Sequence, residues 1–316
     1  MILVTGASGY VGNNLVRRLV AVGKPVRAMV HSPAKAEARL ADVRDRIEIV
    51  KGDVTRPETL APLMDGVSAV VHLVAIAIES GGATYEAINT QGTINVVEAA
   101  RAVGVRRFVN MSQNGADSSL PYRFLASKGK AQDAVAGSGL DWTALRPSVI
   151  WGPQDEFANV QARLIRLTPL VFPVVGDGQA KFQPVWVGDV VEAVARCLDD
   201  DGTIGQELGL GGPEVLTYEA IVKRVLAALD TRRLTVRVPV PVLRPVVSLM
   251  AAALPNPPVT SSLLELLNVD NTIAHNALTE RFGIAPRPFT PENLRYMREF
   301  TALGSLKRLL GRSTGD

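Results

Sequence analysis

The sequence has few of the residues that would indicate a disulfide framework or a metal centre. It contains one cysteine, Cys197, and three histidines, His31, His72 and His275, far apart along 316 residues. A single cysteine excludes an intramolecular disulfide, and histidines at such distances show none of the usual ligand spacings. We therefore expect a protein with no disulfide and no bound metal.

The sequence also lacks a strong excess of charge of one sign and a long uninterrupted apolar run. Lys and Arg number 34 against 31 Asp and Glu, which leaves a net charge of +3. A balance this even argues against nucleic-acid binding. The first residues, MILVTGASG, do not resemble a secretion signal, and Arg244 and several prolines interrupt the longest apolar stretch, residues 238–258. We expect a cytoplasmic protein, with peripheral attachment to a membrane as an open alternative.

Short β-branched segments alternate with longer helical patterns in the first half of the sequence. Apolar runs such as MILVT, SAVVHLV and RRFVNM are each followed by a segment of helical periodicity. Continuous apolar strands are typical of a parallel sheet covered on both faces, and their alternation with helices predicts βαβ units. The predicted fold class is therefore α/β, a doubly wound parallel sheet of the Rossmann type.

The alternation stops near residue 150, where proline and glycine become more frequent, and helical patterns dominate from residue 217. This change predicts a smaller, mostly helical C-terminal lobe. We predict a dinucleotide-binding domain at 1–150 to which 182–210 return, a substrate or partner lobe at 151–181 and 211–300, and a basic amphipathic tail at 301–316.

A glycine-rich motif, TGASGYVG, follows the first predicted strand and opens the first predicted helix. Gly6 allows a tight turn, Gly9 lets the backbone approach a pyrophosphate, and Gly12 lets the helix lie close to the sheet. The helix N-terminus adds N–H groups and a partial positive charge. Strand, glycine spacing and helix together predict a dinucleotide site.

The second predicted strand ends without the acidic residue that usually holds the adenosine ribose of NAD. The region carries Arg27, His31, Ser32 and Lys35 before its first carboxylate, Glu37. A missing carboxylate together with positive charge favours the 2′-phosphate of NADP(H) over NAD(H). The alternative is that these cations are simply solvated.

Several segments together resemble the extended and atypical branches of the short-chain dehydrogenase/reductase superfamily: TGASGYVG, GDVTRPETL, NTQGTINVVEAA, FVNMS, SKGKAQDAV and LRPSVIWGP. More narrowly, GPQDEFAN, QPVWVGDVVEAV and FGIAPRPFTPENLRYM resemble the atypical group related to the NADPH-binding accessory subunit of respiratory complex I. The resemblance extends to about residue 300. It implies a Rossmann fold and a bound dinucleotide, in an oxidoreductase or in a non-catalytic subunit.

The resemblance also implies roles for single residues. Those that would bind the cofactor are Gly6, Ser8, Gly9, Tyr10, Val11 and Gly12 at the pyrophosphate, Asp53 and Val54 at the adenine, Leu73, Val74 and Ala75 beside the adenosine ribose, and Pro147, Ser148 and Val149 over the nicotinamide, to which the charge argument adds His31 and Lys35. Ser112 falls on the family's active-site serine, and Lys128 on the lysine that holds the nicotinamide ribose. Asn89 would brace the central helix against the sheet.

The family resemblance further implies a tyrosine proton donor four positions before Lys128, where this sequence has Phe124. Four residues turn an α-helix by about 400°, so both side chains share a face, and an ammonium there lowers the pKa of a tyrosine. A phenyl ring has no proton to give. Tyr122 lies about 240° from Lys128 around a continuous helix and would be a weak substitute acid only if the helix began after it.

Two functions stay open on the sequence alone. One is an NADP(H)-dependent oxidoreductase acting on an apolar carbonyl or quinone-like compound, with Ser112 and Lys128 as catalytic candidates and Asn110, Gln113 and Asn114 orienting a carbonyl. The other is a non-catalytic NADP(H)-binding structural or redox-sensing subunit of a larger complex.

Two apolar segments with basic residues, 238–258 and 302–313, predict contact with a partner protein or an anionic membrane. Alternatively, the first closes over the substrate pocket and the second is a surface helix.

Overall fold

The computed structural model describes residues 1–311, and the chain divides into two compact units. The first unit comprises Met1–Pro147, Val187–Leu210 and Ala274–Ala285, and the second comprises Ser148–Trp186, Gly211–Ile273 and the residues from Pro286. Three short segments therefore differ from the predicted division: residues 148–150 and 182–186 lie in the second unit, and residues 274–285 lie in the first.

The strands are, in chain order, β1 (Ile2–Thr5), β2 (Val26–Val30), β3 (Ile47–Lys51), β4 (Ala69–His72), β5 (Arg107–Met111), β6 (Asp141–Pro147), β7 (Ile150–Trp151), β8 (Val171–Val175), β9 (Lys181–Phe182), β10 (Val185–Trp186), β11 (Gln206–Leu210), β12 (Leu216–Thr217) and β13 (Leu234–Val238). The α-helices are α1 (Tyr10–Ala21), α2 (Pro33–Arg39), α3 (Gly92–Ala102), α4 (Arg123–Ala136), α5 (Ala158–Leu167), α6 (Val187–Cys197), α7 (Tyr218–Ala228), α8 (Val240–Ala253), α9 (Ser261–Leu266), α10 (Ala277–Glu280) and α11 (Ala302–Leu309). None of the α-helices in residues 1–311 is long and apolar enough to cross a membrane.

The first unit is built on a seven-stranded parallel sheet with the order β11-β6-β5-β4-β1-β2-β3. The chain moves outward in opposite directions from β1, so the strand order reverses between β1 and β4. In open α/β sheets, ligands bind at the carboxyl ends of the strands beside such a reversal. The predicted α/β class and the doubly wound sheet are confirmed.

The sheet is held together by central strands that are buried on both faces. All four residues of β1 and of β4 are buried. On one side Leu3, Val70 and Phe108 join a core cluster with Val96 of α3 and Val135 of α4. Burial of each such side chain contributes roughly 1.5 to 3 kcal/mol, so the strand ends are held rigidly for the loops that follow them.

Two helical segments depart from α-helical geometry. The segment before α3, Glu86–Gln91, is π-helical, and the chain becomes α-helical at Gly92. Between β3 and β4 lie two 3₁₀ turns, Pro57–Thr59 and Ala61–Met64. A continuous helix from Pro57 would place Pro62 in its interior, where proline lacks the N–H donor and clashes with the preceding turn.

The second unit contains more strands than predicted. Six short strands form three pairs, β7 with β10, β9 with β12 and β8 with β13, and five helices, α5, α7, α8, α9 and α11, accompany them. Its core includes Trp151, Phe172, Phe182, Ile221 and Phe289. The strand pairs are only two to five residues long, which explains why sequence periodicity did not reveal them.

Candidate functional site

The turn between β1 and α1 is so tight that its glycines leave no room for side chains. Gly6 has a φ of +70°, and a Cβ placed there would lie 3.2 Å from Cγ2 of Val74. A Cβ on Gly12 would collide with the carbonyl oxygen of Gly6. Gly9 caps α1 without a side chain that could accept from the first-turn N–H groups, and this turn holds no acidic residue. The positive end of α1 therefore faces the turn and suits an anion such as a pyrophosphate.

Two arginines that belong to no sequence motif hold the outer side of this turn. Arg39, the last residue of α2, donates from a guanidinium nitrogen to the carbonyl oxygen of Ser8 at 2.9 Å. Arg17 of α1 donates to the carbonyl oxygen of Arg39 and forms an ion pair with Asp42, with Nε 2.8 Å from Oδ2. An exposed guanidinium is thus placed beside the glycine-rich turn. No motif indicated Arg39, because its position depends on how α2 packs.

A cavity of about 400 Å³ opens at the carboxyl ends of β2 and β3, lined by His31, Lys51, Gly52, Asp53, Arg56 and Thr59. His31 is 82% exposed, and its Nδ1 lies 3.7 Å from Oδ2 of Asp53. Partial burial opposes ionisation of Asp53, but hydrogen bonds from Thr55 and the charges of His31 and Arg56 outweigh it and lower the pKa of that carboxyl. The cavity therefore has cations at its rim and one ionised carboxylate.

The cations predicted near β2 differ in their availability. Arg27 is occupied: its Nε donates to Glu48 at 2.7 Å, and NH1 donates to two backbone carbonyl groups before β4. It therefore does not belong to the site. Lys35 is exposed on α2, and Ser32 caps that helix without using its side chain.

The residues after β3 are fixed by α3. Nδ2 of Asn95 donates to the carbonyl oxygen of Val54 at 2.8 Å. The Val54 side chain fills the space that a Cβ on Gly92 would need, since Cγ2 would lie 2.8 Å from it. Asp53 consequently stands at the cavity while the side chain of Val54 is buried.

Asn89 joins the segment after β4 to α4. Its Oδ1 accepts from the backbone N–H of Ile76 at 2.8 Å, and its Nδ2 donates to the carbonyl oxygen of Ile76 and to Oγ of Ser127, both at 3.1 Å. The contact with Ile76 and Ser127 differs from the predicted brace between helix and sheet. It positions the segment Leu73–Ala75, in which Val74 packs against Gly6.

A buried chain of hydrogen bonds runs from β1 through β4 to α3. Oγ1 of Thr93 donates to the carbonyl oxygen of Asn89 at 2.7 Å, so it accepts from Nε2 of His72 at 3.0 Å. Nδ1 of His72 then accepts the hydroxyl proton of Thr5 at 2.8 Å. Burial, assisted by the positive charge of Lys128, lowers the pKa of His72 to about 3. His72 is therefore neutral, and the chain ties together three elements that support the site.

Lys128 is buried in α4, and its Nζ donates to the carbonyl oxygen of Met111 at 2.7 Å. Burial lowers the pKa of its ammonium to about 8. The next residue, Gly129, allows the backbone of Asp117 and Ser118 to pack directly on α4, where a Cβ would collide with it. The loop after β5 and the lysine are thus held in contact.

Two polar side chains at the end of β5 are buried without a partner. Among the described residues, Oγ of Ser112 and both polar atoms of the Asn110 side chain have no hydrogen-bond partner. The backbone N–H of Ser112 donates to Leu145 at 2.8 Å, which fixes its position beside β6. Unpartnered buried groups in a natural protein need an explanation, and a bound ligand is one.

No hydroxyl occupies the helix position four residues before Lys128. Phe124 lies there, half-buried, and packs against Tyr85. The helix begins at Arg123, so Tyr122 precedes it as the capping residue, and its carbonyl oxygen accepts from Ala126 at 2.8 Å. The angle of 240° predicted for a continuous helix therefore does not apply to Tyr122.

The three residues predicted over the nicotinamide belong to different units. Pro147 ends β6 in the first unit, and its carbonyl oxygen accepts from the backbone N–H of Asn114 at 3.0 Å. Ser148 and Val149 open the second unit, where Oγ of Ser148 donates to the carbonyl oxygen of Asn271 at 2.8 Å.

A family model described as NAD(P)H-binding matches residues 6–166, which is about half of the chain. Subunit 9 of the mitochondrial NADH dehydrogenase [ubiquinone] 1 alpha subcomplex from Arabidopsis thaliana is 26% identical over 287 residues, covering 87% of this chain and 71% of that protein. The 3 beta-hydroxysteroid dehydrogenase/Delta 5-->4-isomerase of Mycobacterium tuberculosis is 29% identical over 275 residues, covering 77% and 73%. Among solved structures, dTDP-glucose 4,6-dehydratase from Bacillus anthracis in complex with NAD superposes with a TM-score of 0.71 at 18% identity, covering 95% of each chain.

Proposed function

The chain belongs to the NAD(P)H-binding family, and on that premise we propose that it is an NADP(H)-dependent oxidoreductase acting on an apolar carbonyl or quinone-like substrate. The observation that carries the proposal is the group at the end of β5. There Lys128 donates a hydrogen bond to Met111. The side chains of Ser112 and Asn110 are buried and have no hydrogen-bond partner among residues 1–311. Buried polar groups left unpaired are costly, so their retention supports a ligand that pairs with them.

The residues of the first unit fit a dinucleotide along the carboxyl edge of the sheet. The collision that a Cβ on Gly12 would cause shows a turn built for close approach, and α1 directs its positive end at that turn. A bound nicotinamide dinucleotide supplies or accepts a hydride. The chain itself would bind the pyrophosphate at Gly6–Gly12 and the nicotinamide ribose at Lys128.

Preference for NADP(H) over NAD(H) is supported by the charges around the cavity at β2 and β3. His31 and Arg56 line it, and Arg39 lies beside Ser8 at the adjoining turn. The one carboxylate among the residues that line the cavity, Asp53, already accepts from the N–H and hydroxyl groups of Thr55. A 2′-phosphate would find more positive than negative charge in this region.

The proton at the substrate oxygen would not come from residue 124, because phenylalanine has none to donate. Ser112 would donate a hydrogen bond to a carbonyl oxygen, and the buried Lys128 would hold positive charge nearby. The proton itself would then be supplied by Ser112, by water or by the substrate. Tyr122 remains a weaker substitute.

An apolar substrate is supported by the sequence of the second lobe, in which residues 171–184 and 238–270 are mostly apolar. The mycobacterial relative is named for a hydroxysteroid, which is a large apolar alcohol, and this name supports the same class of substrate.

Titration with NADPH and NADH tests the nucleotide preference. We expect NADPH to bind at least about tenfold more tightly, and Arg56→Ala to remove most of that difference while leaving NADH affinity unchanged. Arg106→Ala is the matched control, since it removes an exposed arginine just before the amino end of β5, whereas the cavity opens at the carboxyl ends of β2 and β3. Equal affinity for both nucleotides would contradict the NADP(H) proposal.

Turnover is tested by following NADPH absorbance with a panel of apolar aldehydes, ketones and quinones. We expect steady oxidation with at least one of them and loss of that rate in Ser112→Ala. Tight NADPH binding with no oxidation by any compound would reject the enzyme proposal.

That result would favour the second candidate, a non-catalytic NADP(H)-binding subunit. Two observations support this alternative. Phe124 stands where a proton donor is expected, and the chain is similar to a subunit of the mitochondrial NADH dehydrogenase. A nucleotide that copurifies and neither exchanges nor becomes oxidised would support this alternative.

A further inference from the structure

Helix α8 in the second unit is apolar on both its inner and its outer side. Val247 is buried, and Val240 and Leu243 pack against the core of the unit. On the other side Val242, Val246 and Leu249 are 56% to 69% exposed. The spacing of these exposed residues places them in one stripe along the helix. A helix that is hydrophobic all round is normally buried, so the outer stripe is unusual for a surface helix.

Helix α11 presents a second exposed apolar stripe. Leu303, Leu306 and Leu310 follow one side of the helix, and Leu303 is 63% exposed. The segment that follows α8 reaches the end of α11: Asn256, three residues beyond α8, donates from its backbone N–H to the carbonyl oxygen of Leu309 and from Nδ2 to that of Arg308. We call the six exposed residues Val242, Val246, Leu249, Leu303, Leu306 and Leu310 the α8–α11 face.

The two segments that carry the α8–α11 face contain positive charges and no negative ones. Residues 231–264 contain four arginines and no Asp or Glu, and residues 300–311 contain Lys307 and Arg308 and no Asp or Glu. Carboxylates from outside these segments pair with Arg237, Arg244 and Arg308. Lys307 is exposed next to the leucines and forms no ion pair with any residue in 1–311. The two segments thus keep an excess of positive charge after these ion pairs are counted.

We propose that the α8–α11 face lies on an anionic membrane surface. Apolar side chains would enter the boundary between head groups and acyl chains, and the neighbouring cations would attract anionic lipid, as in interfacial amphipathic helices. Exposed apolar side chains grouped along a helix mark an interaction site, and the excess of positive charge selects an anionic lipid surface over a neutral one. The attachment is peripheral. It is independent of the redox function proposed above. Part of the predicted tail, residues 312–316, lies outside the described residues.

Flotation of the full chain with lipid vesicles tests the proposal. We expect binding to vesicles of phosphatidylcholine with phosphatidylglycerol, little binding to pure phosphatidylcholine, and release at high salt. The double variant Val246→Asp/Leu249→Asp should lower the bound fraction at least about tenfold, because two carboxylates would enter the interface. The matched control is Val103→Asp/Ile204→Asp, which places two carboxylates at exposed apolar positions of the first unit.

NADPH affinity and circular dichroism report whether the variants fold. If Val246→Asp/Leu249→Asp fails to fold, Leu303→Asp/Leu306→Asp on α11 gives the same test. The proposal is overturned if the chain does not bind anionic vesicles or binds both kinds of vesicle equally. It is overturned as well if Val103→Asp/Ile204→Asp lowers binding as much as Val246→Asp/Leu249→Asp. It is also overturned if light scattering shows a dimer that the α8 variant dissociates, because the face would then contact a second copy of the chain.

Discussion

The ring of Phe124 meets the ring of Tyr85 edge-on, with centroids 5.7 Å apart and ring planes at 64°. Tyr85 is 3% exposed, and its hydroxyl donates to the carbonyl oxygen of Ala77 at 2.8 Å. The position at which the family resemblance implies a catalytic tyrosine is thus occupied by an aromatic packing contact. One turn further along α4, Lys128 keeps its hydrogen bond to Met111. The helix therefore retains the lysine of the proposed cofactor site and lacks the acid.

Restoring a hydroxyl at this position should restore the acid. Phe124 is only half-buried, so we expect the surrounding residues to accept the one extra oxygen atom of a tyrosine ring. We expect Phe124→Tyr to raise kcat/KM for carbonyl reduction by roughly 100-fold, the usual contribution of a positioned general acid. NADPH oxidation with the same panel of carbonyl compounds measures it, and Phe124→Leu serves as the control without a hydroxyl. If the wild-type protein is active and Phe124→Tyr does not raise its kcat/KM, another group already supplies the proton to the substrate.

Nucleotide binding should depend on the protonation of Lys128. Burial lowers the pKa of its ammonium to about 8, so raising the pH through that value replaces a charged donor by a neutral amine. We expect NADPH affinity to fall by up to about tenfold per pH unit above pH 8. Fluorescence titration across this range should show the decline in the wild type. Lys128→Met should bind more weakly at neutral pH and show no such slope; a wild-type affinity independent of pH would contradict the assigned role.

The buried histidine should make the fold less stable in acid. The pKa of His72 is about 3 in the folded chain, below the usual 6.5, so the unfolded chain binds the proton first. Stability is therefore complete above pH 6.5 and declines as the pH falls toward 3. Between pH 7 and pH 5 the loss from this residue is about 2 kcal/mol. Urea unfolding at both pH values should show that loss in the wild type and not in His72→Gln, even if the variant is less stable overall.

The glycine-rich turn should tolerate no side chain at Gly12. A Cβ there collides with the carbonyl oxygen of Gly6, so we expect Gly12→Ala to cost at least about 2 kcal/mol and to weaken NADPH binding more than about tenfold. Gly137→Ala is the matched control: its Cβ would lie 3.4 Å from the carbonyl oxygen of Asp133, and its φ is −80°. It should change the free energy of unfolding by less than about 0.5 kcal/mol. Equal effects of the two substitutions would argue against the tight turn.

Much of the site was predictable because its parts are encoded locally. The strand before TGASGYVG, the spacing of its glycines and the helix after it all follow from patterns a few residues long. The same holds for Lys128 and Phe124, whose separation of four residues places them on one helix face. The doubly wound parallel sheet followed from the alternation of strands and helices, whereas its strand order came from the structure.

Other features were decided only by tertiary packing. Thr5, His72 and Thr93 lie on β1, β4 and α3, and only the folded sheet and helix bring their side chains together. From its position in the sequence, Arg27 was expected near the cofactor, but it forms an ion pair with Glu48. Arg39, which belongs to no sequence motif, lies beside Ser8 at the glycine-rich turn.

By itself, the sequence determined the parallel α/β fold, the glycine-rich turn and the loss of the acid at Phe124, because these depend on residue type and short-range spacing. Tertiary structure decided which polar groups are partnered. It also decided that the side chains of Ser112 and Asn110 are buried with no hydrogen-bond partner in residues 1–311, and that α8 exposes apolar residues on its outer side. The physical reason is that burial and hydrogen bonding depend on neighbours distant in the chain, and local periodicity carries no information about them.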